Sequence, residues 1–398
     1  MGISLFQPTR YSCLVLGLLP LLIGWPEGQN VEPSPSIMRQ DWLRLWEFYF
    51  TQNTPSSDKI PDRAEMVRLY IDRGTDWLKK DRVDLAAADF NVAIQLDPKC
   101  AEAYHNRALA HAIKGDSRAA IADFSKAIAI RPDLSQPHLG RGLIRLRSRD
   151  YDGAVGDFEA SIRIDSKIRK HLRPQLIEAY FSRGADRQSS GDPKGAFEDY
   201  ARVIELGGNL SELPEESGLR KFLAATYNNR GSLLKEESRF KAALADYDEA
   251  IRLNVLLPEA YANRAAVKNT LGDTQGAIAD STRSLQLDPN LAASYQARGF
   301  AFFVEGDLDK ALTDLDRAIE LQPSSPEPYM TRGIVRLIKG DDETGLMDLD
   351  RVLQLNPRLG PALRSRLATA QLTPDTKVRV EQWSRQRLSG QPTAQPAE

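Results

Sequence analysis

Between residues 65 and 360 the apolar side chains return at three- and four-residue intervals in short blocks, each closed by a polar or glycine-containing break. That spacing is the helical period, so the blocks are expected to be amphipathic helices. The blocks themselves recur. An arginine followed by a glycine or alanine returns eight times, with an aspartate sixteen residues after each arginine. The pairs are Arg73 and Asp89, Arg107 and Asp123, Arg141 and Asp157, Arg183 and Asp199, Arg230 and Asp246, Arg264 and Asp280, Arg298 and Asp314, and Arg332 and Asp348. Most steps from unit to unit are 34 residues, a period that marks a stack of small supersecondary units rather than one globular core.

With each arginine at position 7 of its unit, position 8 is Gly74, Ala108, Gly142, Gly184, Gly231, Ala265, Gly299 and Gly333. Twelve residues further on stand Ala86, Ala120, Ala154, Ala196, Ala243, Ala277, Ala311 and Gly345. Small residues at both places let two helix backbones approach closely. Between them lie turn signals, such as Gly115 with Asp116, Gly272 with Asp273 and Gly340 with Asp341, where glycine can close a helix in the left-handed conformation. Pro98, Pro132, Pro289, Pro323 and Pro357 fall at position 32 and stop the second helix.

This pattern resembles the tetratricopeptide repeat. The resemblance includes an aromatic at position 4 (Tyr70, Tyr104, Tyr180, Tyr227, Tyr261, Tyr295, Tyr329) and covers about three quarters of the chain. It implies an all-α, right-handed helical-repeat solenoid of about eight helix-turn-helix units. Two departures stand out. His138 replaces the aromatic in the third unit, and Ser166, Gly208 and Val255 replace the proline in units three to five.

The organisation expected is a signal peptide or membrane anchor with a Pro-rich linker over 1–36, and a capping helix and linker over 37–64. The solenoid follows over 65–360, then C-terminal capping helices over 361–387 and a disordered tail over 388–398. The apolar run Leu14 to Trp25 suits a secretory signal, with an uncleaved anchor as the competitor. The location expected is therefore exported, periplasmic, secreted or membrane-anchored, with the cytoplasm as the alternative. Insertions near 166–176 and 208–222 break the period, the first basic (Lys167, Arg169, Lys170, His171, Arg173) and the second acidic (Glu212, Glu215, Glu216). Either they are two solvated loops, or they face each other and set an angle between flanking repeats. The helix expected over Ile37 to Phe50 either caps the array or touches a membrane surface.

Charges nearly cancel, at −2 overall, which makes nucleic acid an unfavoured partner. Four scattered histidines and two cysteines supply no metal-binding run, and no phosphate-cradling loop or nucleophile turn is present. No catalytic residue, metal or cofactor is expected. Eight lone guanidinium groups near a helix interface would be costly, whereas paired ones are tolerable. The arginines and aspartates therefore read as a structural ladder, with a row of arginines open to an anionic ligand as the other reading. Whether each bond lies within a unit or between neighbours stays open.

Function falls to the concave face that the resemblance implies, lined by first-helix positions 2, 5, 6, 9, 12 and 13. Asn106, Asn229 and Asn263 at position 6 could hold a peptide backbone, with Phe300 and Phe303 supplying an apolar pocket. The partner expected is a protein or peptide bound by a scaffold. A homo-oligomeric or structural component is the alternative.

Overall fold

A computed structural model describes residues 62–208 and 218–388, and divides the chain into two compact units, Met1–Arg183 and Gly184–Glu398. The helices are α1 (Arg63–Lys79), α2 (Val83–Leu96), α3 (Ala101–Ile113), α4 (Ser117–Ile130), α5 (Ser135–Arg147), α6 (Tyr151–Ile164) and α7 (Arg169–Ser189). They continue with α8 (Pro193–Gly207), α9 (Gly218–Glu236), α10 (Phe240–Leu253), α11 (Pro258–Leu271), α12 (Thr274–Leu287), α13 (Ala292–Glu305) and α14 (Leu308–Leu321). The last four are α15 (Pro326–Ile338), α16 (Asp342–Leu355), α17 (Gly360–Thr369) and α18 (Pro374–Leu388). The described residues contain no strand.

Five of the hairpins are closed the same way, while Asp81, Arg149 and Ser238 take the left-handed turn position in three others. Gly115, Gly191, Gly272, Gly306 and Gly340 take φ between 81° and 86°, closing the first helix, and the aspartate that follows caps the second. Asp116, for example, accepts from the Ala119 backbone N–H at 2.9 Å. Inside the hairpin the small residues do what their spacing suggests. Ala86, Ala120, Ala154, Ala243, Ala277 and Ala311 are fully buried. Four residues after five of these, Phe90, Phe124, Phe158, Tyr247 and Leu315 fill the gap and are fully buried, while Ser281 stands at that place after Ala277. A Cβ on Gly74 would lie 2.6 Å from Phe90 Cε1, so glycine there is a packing requirement. Burying each such ring contributes roughly 1.5–3 kcal/mol.

In the first unit α1 and α2, α3 and α4, and α5 and α6 pair as hairpins, and each second helix packs on the next first helix. The second unit repeats this from α9 to α16. Within each unit the first helices of successive hairpins also touch one another, so they form the inner layer. At the C-terminus α17 and α18 cover the last hairpin, with Leu363, Leu367, Val380 and Trp383 joining Leu337 and Leu349 in one core.

Three sequence expectations are corrected. The basic insertion is not a loop: Ser166–Ile168 form a 3₁₀ turn and the rest lengthens α7 to 21 residues. Leu172, Leu176 and Ile177 fall at helical spacing and are buried, which outweighs Pro174 near the helix start. Leu388 belongs to α18 and is fully buried rather than part of a tail, its carbonyl accepting from Arg364 Nη2 at 2.7 Å. Helix α1 starts two residues earlier than 65, capped by Asp62, which accepts from Glu65 N at 2.8 Å. The expectations for 1–36, for Ile37 to Phe50, for Glu212, Glu215 and Glu216, and for 389–398 lie outside the described residues.

Candidate functional site

Within a hairpin the arginine of the first helix reaches the aspartate of the second through two parallel bonds. Nε and Nη2 of Arg264 donate to Oδ2 and Oδ1 of Asp280 at 2.8 and 2.6 Å. The same fork joins Arg73 to Asp89 (2.8 and 2.6 Å), Arg107 to Asp123 (2.7 and 2.7 Å) and Arg141 to Asp157 (2.9 and 2.7 Å). It recurs for Arg230 with Asp246 (2.8 and 2.7 Å), Arg298 with Asp314 (2.7 and 2.9 Å) and Arg332 with Asp348 (2.8 and 2.6 Å). All seven aspartates are buried. A planar guanidinium is suited to this geometry because its donors match a carboxylate edge. Hydrogen bonding to Asp280 raises the pKa of Arg264 against the opposing effect of burial, and Asp246 and Asp314 do the same for Arg230 and Arg298.

The remaining guanidinium nitrogen points back to the preceding hairpin. Nη1 of Arg107 donates to Asn91 Oδ1 at 2.6 Å, of Arg141 to Ser125 Oγ at 2.8 Å, and of Arg264 to Asp248 Oδ1 at 2.7 Å. Arg298 reaches Thr282 Oγ1 at 3.3 Å and Arg332 reaches Asp316 Oδ1 at 2.6 Å. Each acceptor stands sixteen residues before its arginine, on the previous second helix. One side chain thus closes its own hairpin and fixes it on its neighbour. The question left open by the sequence has both answers at once.

Two further groups complete the rung. The position-4 tyrosine lies under the guanidinium, with centroid distances of 5.3 Å for Tyr70 and Arg73, 5.6 Å for Tyr261 and Arg264, and 5.4 Å for Tyr329 and Arg332. A second base four residues after the arginine also meets the buried aspartate. Arg145 reaches Asp157 at 2.9 Å, Arg187 reaches Asp199 at 3.1 Å, Lys268 reaches Asp280 at 2.8 Å and Arg336 reaches Asp348 at 3.0 Å. The signal for this group was present as a recurring basic residue twelve before the aspartate. His138, the odd residue at position 4, puts Nδ1 3.5 Å from Asp157 Oδ1.

The ladder ends in the C-terminal helices. Asp350, in the place Asp316 holds one repeat earlier, accepts from Trp383 Nε1 at 3.0 Å and faces Arg387 Nε at 3.1 Å. Arg366 stands 34 residues after Arg332 but lies over the Phe300 ring at 5.8 Å. At the other irregular place, Arg183 ends the first unit with Nη1 3.3 Å from Asp152 Oδ1 and its guanidinium over Tyr180 at 5.2 Å.

The peptide-holding residues are arranged differently from the sequence expectation. Asn106 lies half-buried on α3 in the first unit, whereas the other four are in the second. Asn229 and Asn263 are not independent amides. Asn263 Nδ2 donates to Asn228 Oδ1 at 3.0 Å, and Asn228 Nδ2 donates to Asn229 Oδ1 at 3.3 Å. Asn229 Nδ2 in turn reaches Tyr200 Oη at 3.4 Å, and that hydroxyl donates to Gln188 Oε1 at 2.9 Å. Burial raises the Tyr200 pKa, so the hydroxyl keeps its proton. Asn228 and Tyr200 were missed because the sequence does not show which side chains turn toward one another across helices. Phe300 and Phe303 meet edge to face at 6.2 Å, and Phe303 is partly buried against the core that the last hairpin shares with α17 and α18. Leu271 and Val304, on α11 and α13, are the exposed apolar side chains of this face, at 48 % and 53 %.

Sequence models of the tetratricopeptide repeat match residues 71–135 and 224–254. No curated protein sequence matches the chain. Among solved structures, the crystal structure of MamA shares 19% identity, covering 44% of this chain and 95% of its own, with a TM-score of 0.34. The TPR domain of Arabidopsis OM64 shares 25% identity over 29% of this chain and 97% of its own, at a TM-score of 0.28. The P58(IPK) TPR domain shares 17% over 82% and 99%, at 0.29. By sequence the segments 71–135 and 224–254 are tetratricopeptide repeats, and the described residues form the all-α helical repeat into which they fit.

Proposed function

We propose that the chain is a non-enzymatic scaffold that holds an extended protein segment on the first-helix face of its second unit. The observation that carries this reading is the pair of exposed apolar side chains, Leu271 and Val304, on adjoining inner-layer helices, the first of which also carries Asn263. Such a face offers apolar contact and polar groups together, which an extended peptide uses. The test is capture of partners by the full chain and by Leu271→Asp with Val304→Asp. Partners that bind the first and not the second, from proteins with equal melting, support the face. Partners retained by both remove it.

The structural alternative, an array that grows by end-to-end stacking, is disfavoured at the C-terminus because α17 and α18 already occupy the rung at Asp350. Mass measured against concentration separates the two readings. On the apolar run Leu14 to Trp25 we place the protein outside the cytoplasm, cleaved or anchored. Fractionation of the native cell with sequencing of the processed N-terminus tests this, and intact chain in the cytoplasm would remove it.

A further inference from the structure

We infer that the junction between α6 and α7 is a second interaction surface, separate from the first-helix face, that docks an acidic protein segment. Residues 163–173 carry Arg163, Lys167, Arg169, Lys170 and Arg173 against one carboxylate, Asp165. That carboxylate is engaged in the turn itself, accepting from the Lys167 backbone N–H at 3.0 Å. Arg163, Lys167, Arg169 and Lys170 are all exposed, and among the described residues none of the four forms an ion pair. The preceding junction differs in that its cation is matched by a carboxylate two residues away, Arg131 being held by Asp133 at 2.7 Å. The 3₁₀ turn and the first turns of α7 therefore hold a like-charged group on ordered helical backbone, at a repulsive cost that an acidic ligand relieves.

The dimensions and composition select the partner. Lys167 to Arg173 occupy about two helical turns, on the order of 10 Å, the length of about three extended residues. A short run of Asp and Glu fits that length. A membrane surface is disfavoured because Leu172 and Leu176 are buried and Ile164, at 39 % exposure, is the single exposed large apolar side chain of the segment. Nucleic acid is disfavoured by the overall charge of −2 and by the absence of Phe, Trp or Tyr from 163–173.

The probe is a fluorescein-labelled peptide with six consecutive glutamates, titrated by anisotropy against the full chain over a range of salt. Two variants are compared. One carries Arg163→Gln, Lys167→Gln, Arg169→Gln and Lys170→Gln. The other removes the same charge elsewhere, through Lys194→Gln, Lys241→Gln, Arg283→Gln and Arg351→Gln. The junction variant is expected to lose about tenfold or more in affinity and most of the salt dependence, with unchanged melting, while the second variant binds as the parent does. Equal loss in both variants, or no loss in the first, overturns the proposal. So does tighter, junction-dependent binding to phosphatidylserine vesicles or to duplex DNA than to the peptide. None of these outcomes involves Leu271 or Val304, so this surface and the first-helix face stand or fall separately.

Discussion

Arg264, Arg298 and Arg332 hold the same place in their repeats as Arg183 does, in different surroundings. In the first three the 34-residue period places an acceptor sixteen residues before each arginine, Asp248, Thr282 and Asp316. Before Arg183 the eight inserted residues bring Lys167 to that place, a cation that can accept nothing, and Arg183 turns to Asp152 at 3.3 Å. The repeat length is thus set by more than helix packing. It keeps the guanidinium of a regularly spaced repeat within reach of two hairpins, and before Arg183, where the length changes, the helix is longer and Asp152 stands near the guanidinium instead.

Removing the shared carboxylate should give the largest effect. Asp280→Ala leaves Lys268 without its buried counter-charge and Arg264 with only the exposed Asp248, and a loss of about 3–4 kcal/mol in denaturant unfolding is expected. An unchanged midpoint would make the forks surface decoration and reopen the arginines as ligand groups.

The histidines offer a second contrast. The Nδ1 atoms of His105 and His138 are both sealed against solvent without a hydrogen-bond partner, but His138 faces the Asp157 carboxylate at 3.5 Å while the His105 ring lies 5.5 Å from that of Phe124. Burial lowers the His105 pKa to about 4. Above the ordinary value of about 6.5 both folded and unfolded states are neutral there and stability is complete. As pH falls below that value the unfolded state takes the proton first, so about 2–3 kcal/mol should be lost progressively down to pH about 4. His105→Leu should remove that part of the slope in pH-dependent melting, and an unaltered slope would assign it elsewhere.

Smaller effects test the ends of the ladder. Trp383→Phe removes the indole donor to Asp350 and should cost about 1 kcal/mol by chemical unfolding, more than the loss of an exposed hydrogen bond. Asp248→Ala removes an acceptor with its side chain 60% exposed, so about 0.5–1 kcal/mol is expected. If Asp248→Ala costs as much as Asp280→Ala, the hierarchy between the buried fork and the backward bond is wrong.

The hairpins were legible because glycine, alanine and proline act through the backbone, and their positions repeat without needing to know what they touch. The forks were legible because arginine and aspartate recur together at a spacing of sixteen residues. The backward bond was not, since Asn91, Ser125, Asp248, Thr282 and Asp316 share only an acceptor oxygen and no single residue type repeats. The candidate binding face was read least well. Position 6 identified Asn229 and Asn263, but the packing of α7, α8, α9 and α11 joins them through Asn228 and Tyr200 into one chain of side-chain amides and hydroxyl. Phe303 is shared with the core of the neighbouring hairpins, which the sequence spacing does not show.

The bridging role of the guanidinium is tested most directly by a double-mutant cycle across two hairpins, Asp248→Ala and Arg264→Lys, read by chemical unfolding. Lysine keeps the charge beside Asp280 but cannot form the fork and the backward bond together. A coupling of about 0.5–1 kcal/mol between the two changes is the expected result. Strict additivity would show that the arginine serves its own hairpin alone, and would contradict a ladder that sets the register of the repeats.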